Sequence, residues 1–332
     1  MNIFFLLGIV SARGLVRLIL VLVPPASIVV SYFAVAVFNR AREVKGSKKV
    51  FFVLVAGIII IATIFSGYWF YNAAKSQSGA QVPSVYTQQW QKAMSWVREN
   101  TDEDAVFGHW WDYGYWVQSL GERATVLDGG NAQSYWNYLM GRHALPGTDS
   151  RKALEFLYAH NTTHFLIDST DIGKYSAFST IGSDTTFDRA SFIATFLRDQ
   201  NAVQEKKNST AFFFTGGIGL DEDIIYENNG ARIFLPQGSA GVAGVILERD
   251  STEKLAYQPK GIFVYQGQQY ELPLRYAFDD GKFVDFGSGI EAGVFVYPSI
   301  KQDSQGLEID KQGALLYLSK RTVKSQLTRL YL

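Results

Sequence analysis

The chain has 332 residues, with 31 Lys plus Arg against 31 Asp plus Glu for a net charge of +0, 47% hydrophobic residues and no Cys. That balance leaves no basic face for a phosphate backbone, so no nucleic-acid partner is expected. The lack of Cys excludes disulfides, thiolate metal sites and Cys nucleophiles.

The apolar residues are unevenly spread. Up to about Phe70 the chain is mostly apolar, and from Asn72 onward it has the mixed composition of a folded, water-exposed domain. The opening IFFLLGIV has no basic residue before it and no small-residue cleavage site after it, and a second apolar block follows at once. It therefore reads as an interior piece of a longer chain rather than a signal peptide. GLVRLILVLVPPASIVVSYFAVAVF (about 14–38) and VFFVLVAGIIIIATIFSGYWFY (about 50–71) are each long enough to cross a hydrocarbon core of about 30 Å, and both are predicted transmembrane helices. The connection NRAREVKGSKK holds five Lys or Arg and one Glu, which assigns it to the cytoplasm. The second helix then exits on the far side at the interfacial aromatics of GYWFY, and the first has Arg13 and Arg17 at its outer end. The expectation is a multi-pass protein of the cell membrane with an extracytoplasmic globular part.

A polar linker, 72–86, leads to TQQWQKAMSWVREN, where Trp90, Ala93, Met94 and Val97 recur at helical spacing. Short apolar runs punctuated by Gly follow. THFLIDST reads as a buried strand, and SRKALEFLYAHN and FDRASFIATFLRDQN read as helices. Residues 87–238 are thus expected to form a mixed α/β domain. From about Ala243 the rhythm changes to VILERD, GIFVYQG, QQYELPLRYAF, GKFVDF, GVFVYPSI and GALLYLS, which makes 239–332 a β-rich unit. The fold class is a membrane-anchored α+β protein.

Several familiar signatures fail on inspection. GGIGL near Gly216 lacks the Lys of a phosphate loop and reads as a tight turn. DEDIIYENN lacks the central Gly and terminal Glu of a calcium loop. His160 and His164 are separated by a break that should keep them off one helix, and no Gly-x-Ser-x-Gly elbow occurs.

HWWDYGYW, His109 to Trp116, packs three Trp, two Tyr and one Asp into eight residues. An aromatic core segment is the plain reading, since such rings bury large areas. Asp112 does not suit it, because a buried carboxylate costs several kcal/mol unless paired or hydrogen-bonded. Indole N–H groups only donate and a carboxylate only accepts, so together they suit a ligand group that does both, a hydroxyl.

Trp110-Trp111-Asp112-Tyr113-Gly114 resembles the WWDYG motif of the catalytic subunit of oligosaccharyltransferase. A second segment, DIGKYSAF, is similar to the family's Asp-x-x-Lys helix, with Asp171 and Lys174 aligned and Phe178 at the position where relatives have Met or Ile. SARGLVRLILVLVPP resembles a late transmembrane segment of the family and places Arg17 at its outer end. The resemblance implies that this is the sequon-recognition and C-terminal part of an enzyme that moves a lipid-linked oligosaccharide onto Asn in Asn-x-Ser/Thr. It implies substrate-binding roles for Trp110, Trp111, Asp112, Asp171, Lys174, Phe178 and Arg17. The first three would hold the Ser or Thr hydroxyl, Phe178 stands as a bulkier departure at the position that in relatives touches an acceptor Thr methyl, with Ile181 as its alternative, and Arg17 would lie near the donor phosphates.

No catalytic residue is assigned on this chain. The resemblance implies a divalent metal, Mn or Mg, in the full enzyme, with its ligands in the missing N-terminal part. The implied partners are an acceptor protein, the lipid-linked oligosaccharide donor, the membrane and a separate N-terminal multi-span segment. The alternative is a non-catalytic, membrane-anchored protein that binds glycans or peptides.

Overall fold

The computed structural model describes residues 19–80, 86–228, 230–303 and 306–331. The chain divides at Gln88–Gln89 into two compact units. In the first, helix α1 spans Ile19–Glu43 and α2 spans Ser47–Ala80. Both are long and apolar enough to cross a membrane. Ile61, Phe65 and Trp69 of α2 point outward, which a lipid environment tolerates and water does not. α2 continues well past the predicted end near 71. The segment expected as linker, NAAKSQSGA, is rich in Ala and has no Pro, so nothing in it breaks the backbone hydrogen-bond ladder. The start of the first predicted span, with Arg13 and Arg17, lies outside the described residues.

The second unit opens with α3, Gln88–Asn100, whose buried Met94 and Val97 lie on the face that the sequence spacing predicts. Next come β1 (Val106–Gly108), a 3₁₀ turn at Trp111–Tyr113, α4 (Gly114–Ser119), β2 (Ala124–Thr125), α5 (Ser134–Leu139), α6 (Ser150–Ala159), β3 (His164–Phe165) and α7 (Thr170–Ile181). β2, β1 and β3 form a small sheet in that order, parallel throughout, with Phe107 opposite Thr125 on one side and His164 on the other. His160 caps α6 and His164 lies in β3, so the two are not on one helix, as expected.

The remainder is a large sheet. Its strands are β4 (Ala194–Glu205), β5 (Thr210–Gly219), β8 (Gly241–Arg249), β9 (Lys260–Tyr265), β10 (Gln268–Asp279), β11 (Lys282–Asp285), β12 (Ile290–Asp303) and β13 (Gly306–Leu318), with β6 (Ile224–Asn228) and β7 (Ala231–Leu235) forming a separate hairpin. The order is β11-β10-β12-β13-β4-β5-β8-β9, and β9 also pairs with β10, so the sheet closes on itself. Closure removes the unpaired edges that an open sheet would present. Phe196, Phe214, Leu247, Phe263, Leu274, Val294 and Leu315, one from each strand of the ring, meet in its core.

Three expectations are corrected here. FDRASFIATFLRDQN is not a helix: after an irregular stretch it becomes β4, because Leu197 pairs with both Ala314 and Thr215 and long-range pairing overrides local propensity. The strand-rich region therefore begins at Ala194 rather than near 239, and no boundary falls at 238. GGIGL is not a tight turn but an irregular end of β5, where the register shifts between Thr215 and Ile218. A Cβ on Gly216 would stand 2.7 Å from the Phe196 ring, so the glycine lets the strand pass over the barrel core.

The chain finally returns to the α/β layer through α8 (Lys320–Val323) and α9 (Gln326–Tyr331). Gln326 N donates to Gly147 O at 2.8 Å, and Leu327 N donates to Leu145 O at 2.9 Å. These bonds tie the C-terminal segment to the layer that carries the site.

Candidate functional site

β1, β2 and β3 run parallel, so the segments leaving their carboxyl ends emerge on one side of the small sheet. They are His109–Tyr113, Val126–Asn131 and Leu166–Thr170. In open parallel sheets this is where ligand sites form, especially beside a central strand such as β1 that has neighbours on both sides. Two motifs far apart in sequence are thereby brought together.

The WWDYG turn is built from its backbone outward. His109 is wholly buried, and its Nδ1–H donates to Trp110 O at 2.7 Å. Burial lowers its pKa from the usual 6.5 to about 4, against a smaller opposing effect of that bond and of Asp128. Gly114 closes the motif at a position where a Cβ would stand 2.5 Å from Asp128 Cα and from Leu127 O. The turn can reach the β2 end only with a glycine there. Trp90 of α3 stacks on the Tyr113 ring at 5.1 Å and holds it from behind.

On α7, Asp171, Lys174 and Phe178 are three and four residues apart and so share one helix face. All three meet the motif. Asp171 is fully buried; its Oδ2 accepts from Asp168 N at 2.9 Å and its Oδ1 from the Tyr113 hydroxyl at 2.7 Å. Burial raises its pKa above the usual carboxylate range, although these bonds and Lys174 act in the opposite sense. The Tyr113 phenol is likewise raised, chiefly by burial. Lys174 Nζ pairs with Asp112 Oδ2 at 2.8 Å and donates to the Tyr113 oxygen at 3.0 Å. One ammonium therefore lies between the Asp112 carboxylate and the Tyr113 phenol oxygen and braces the turn against the helix.

The structure brings Asp112, Asp171 and Lys174 into one network, with Trp111 partly exposed beside it. Trp110 and Phe178 fall differently. Trp110 is only 2% exposed and meets the Phe178 ring edge-on at 5.5 Å; Phe178 is itself fully buried and also packs on Tyr175. The expected contact of Phe178 with an acceptor methyl is corrected: its ring is fully buried under the motif, packed between Trp110 and Tyr175 one turn along α7 from Lys174. Two indoles converging on an open cavity is likewise not the arrangement found, since the Trp110 ring is largely occupied by core contacts. Arg17 lies outside the described residues.

Sequence reasoning missed Tyr113, Thr170 and His109 as members of the site. The Tyr113 hydroxyl is 3.0 Å from Thr170 Oγ1 as well as bonded to Asp171. The only signal for Tyr113 was its place inside WWDYG. Among the described residues no group of three or more His, Asp or Glu is arranged to hold a metal ion. The donors present therefore do not fit the divalent metal that the resemblance implies, and no step is drawn through one.

Residues 102–216 match the family model of the STT3/PglB/AglB core domain. The chain is 34% identical over 115 residues to dolichyl-phosphooligosaccharide-protein glycotransferase 1 of Pyrococcus furiosus, a match covering 34% of this chain and 12% of that protein. Its counterpart in Pyrococcus horikoshii is 27% identical over 156 residues, covering 46% and 15%. The dolichyl-diphosphooligosaccharide–protein glycosyltransferase subunit STT3 of Saccharomyces cerevisiae is 23% identical over 175 residues, covering 47% and 24%. The matched regions thus span less than a quarter of the length of these relatives.

Proposed function

We propose, for a chain that carries the STT3/PglB/AglB core domain and so belongs with the oligosaccharyltransferase catalytic subunits, that it supplies the recognition of Asn-x-Ser/Thr in transfer of a lipid-linked oligosaccharide to Asn. The observation that carries the reading is the joining of two motifs through Asp112–Lys174 at 2.8 Å and Tyr113–Asp171 at 2.7 Å. The ion pair occupies Asp112 Oδ2 and leaves Oδ1 to accept a hydroxyl proton. Trp111, partly exposed beside it, offers an indole N–H that can donate to the same hydroxyl oxygen. Trp110 contributes by fixing the turn on Phe178 rather than by presenting a ring face.

A Ser or Thr side chain would satisfy both groups at once. An Ala in its place would leave a donor and an acceptor without partners, the circumstance in which hydrogen-bonding sites discriminate most strongly. Lys174 orients the carboxylate and offsets the charge that Asp171 would otherwise oppose. In this reading the chain is membrane-embedded and multi-pass, its globular part is extracytoplasmic, and Arg17 faces the donor phosphates. The divalent metal and the activation of the acceptor amide are assigned to residues outside this chain. Arg40 and Arg42 at the end of α1, Lys45 between the helices and Lys48 and Lys49 at the start of α2 support the orientation.

The test is a titration of the full chain in detergent with an Asn-x-Thr peptide and its Asn-x-Ala control. The Thr peptide should bind at least about tenfold tighter. That preference should collapse in Asp112→Asn. Equal binding of the two peptides by the unaltered chain rejects the reading. Glycan found on Asn161-Thr162-Thr163 or Asn208-Ser209-Thr210, the chain's own sequons, would fix which side of the membrane the domain occupies.

A further inference from the structure

The third segment leaving the small sheet, at the carboxyl end of β2, has no role in the site described above. It borders a cavity of about 150 Å³ whose lining includes Thr125, Asp128, Asn131, Gln133, Trp136 and Asn137. An apolar cavity of about this volume takes up one benzene ring, so the space suits a single six-membered ring. Here the lining is different in kind: it combines one indole with a carboxylate, three carboxamides and a hydroxyl.

We propose that this cavity is a binding subsite for one neutral pyranose ring, with Trp136 as the apolar platform and Asn131, Gln133 and Asn137 as hydrogen-bonding groups. The proposal goes beyond the sequon reading and uses none of the chemistry of Asp112. Sugars present a C–H face and a rim of hydroxyls, each both donor and acceptor, so they call for an aromatic surface next to mixed amide groups.

Several features point to a built site. Asn131 holds a left-handed backbone, φ 49°, which Asn tolerates better than most residues. Its side-chain oxygen accepts from Asn137 Nδ2 at 2.6 Å. Asn137 is 8% exposed, and its Oδ1 is buried without any hydrogen-bond partner. An orphaned amide oxygen in such a place is destabilising unless a donor reaches it. A ligand hydroxyl, admitted by a small shift of the exposed Trp136 side chain, would supply the missing donor. Trp136 is 36% exposed and is held edge-on by the His160 ring at 4.7 Å, so part of its surface stays available.

Charge selects within the sugars. Asp128 Oδ2 accepts from Gln118 Nε2 at 3.0 Å and Oδ1 from Gly130 N at 2.8 Å. These bonds hold its carboxyl below the usual range and keep it ionised. A uronic acid or a sulfated ring would meet that charge, and a neutral hexose or N-acylhexosamine would not. Gly129 keeps the loop flat against the Tyr115 ring, which a Cβ would approach at 2.7 Å.

The experiment uses the full chain in detergent, titrated with the methyl glycosides of glucose, mannose, galactose and N-acetylglucosamine and with methyl glucuronide, followed by intrinsic tryptophan fluorescence and ligand-observed NMR. At least one neutral glycoside should bind saturably, and the glucuronide should not. Trp136→Ala should weaken that binding by about tenfold, and Trp136→Phe should restore most of it. Melting curves of both variants identify any loss caused by unfolding, and the Phe variant keeps the test valid if the Ala variant does not fold. No saturable binding by any neutral glycoside, or binding that survives in a folded Trp136→Ala, overturns the proposal. A second arm compares the best sugar on a polyprenyl phosphate with the same sugar on an Asn-linked peptide. Tighter binding of the first identifies the donor as the source and of the second the product, and either supports the subsite. The methyl glycoside titrations contain no peptide and the sequon titrations no sugar, so either reading can fail alone.

Discussion

The Tyr113 hydroxyl donates to Asp171 Oδ1 at 2.7 Å across 58 residues of sequence, and both side chains are buried. This bond, with Lys174 above it, joins the aromatic motif at the end of β1 to the helix that follows β3. Tyr113→Phe keeps the ring that Trp90 stacks on and removes the donor. The expected loss is about 1–3 kcal/mol of unfolding free energy, because a buried carboxylate oxygen is left unsatisfied. Urea unfolding of the variant measures it, and a change below about 0.5 kcal/mol would assign the bond no structural weight.

Lys174→Met removes the cation bonded to Asp112 while keeping much of the side chain's bulk. The carboxylate then loses its fixed orientation. The ratio of affinities for Thr and Ala peptides should fall about three- to tenfold, with the Ala peptide itself unaffected. An unchanged ratio would make the ion pair a brace of the fold alone.

His109 makes stability depend on pH. Its folded pKa is about 4 and its ordinary value 6.5, so the unfolded chain takes up a proton that the folded chain refuses. The resulting stability is fully present above pH 6.5, declines as pH falls toward 4 and levels off below that, a loss of about 3 kcal/mol in all. The difference in melting temperature between wild type and His109→Gln should narrow across this window. A difference that stays constant with pH would mean the imidazole is not held neutral by burial.

Gly114→Ala tests whether the final glycine of WWDYG is a packing requirement. The added methyl would have to displace Leu127 O and the Asp128 backbone, both 2.5 Å away. Overpacking of this kind costs about 1–3 kcal/mol or more. A lowered melting temperature is expected, with weaker binding in the adjacent sugar subsite as the β2 end shifts. Unaltered melting would show that the turn relaxes freely.

The ion pair between Arg249 of β8 and Asp279 of β10 bridges strands on either side of β9, with both bonds between 2.7 and 2.8 Å. Asp279→Asn leaves the guanidinium, only 3% exposed, without a counter-charge. A loss of about 3–5 kcal/mol is expected, larger than for any exposed pair in the molecule. Denaturant midpoints decide it, and a loss within about 1 kcal/mol would place the pair among the solvent-screened ones.

Much of the sheet was legible because strand rhythm is local. VILERD, GIFVYQG, QQYELPLRYAF, GKFVDF, GVFVYPSI and GALLYLS correspond to β8 through β13 in order. The stretch that became β4 was not legible. Its apolar residues satisfy a helical spacing as well, and only pairing with β5 and β13, distant partners that no local window contains, selects the strand. The same limit hid the closure of the barrel, which depends on β9 meeting β10 as well as β8.

For the site, the residue types carried the chemistry: Asp112 could not be an idle core residue, and Asp171, Lys174 and Phe178 had to share a helix face. Which members of that set face solvent was beyond the sequence, since Trp and Phe are equally suited to a core and to a ligand surface. Side-chain identity and periodicity are properties of the chain taken a few residues at a time, and they determined the helices, the strands and the pairing chemistry on offer. Burial depends on what arrives from elsewhere, and only tertiary packing decided that Trp110 and Phe178 would close on each other while Asp112 met Lys174 at the surface.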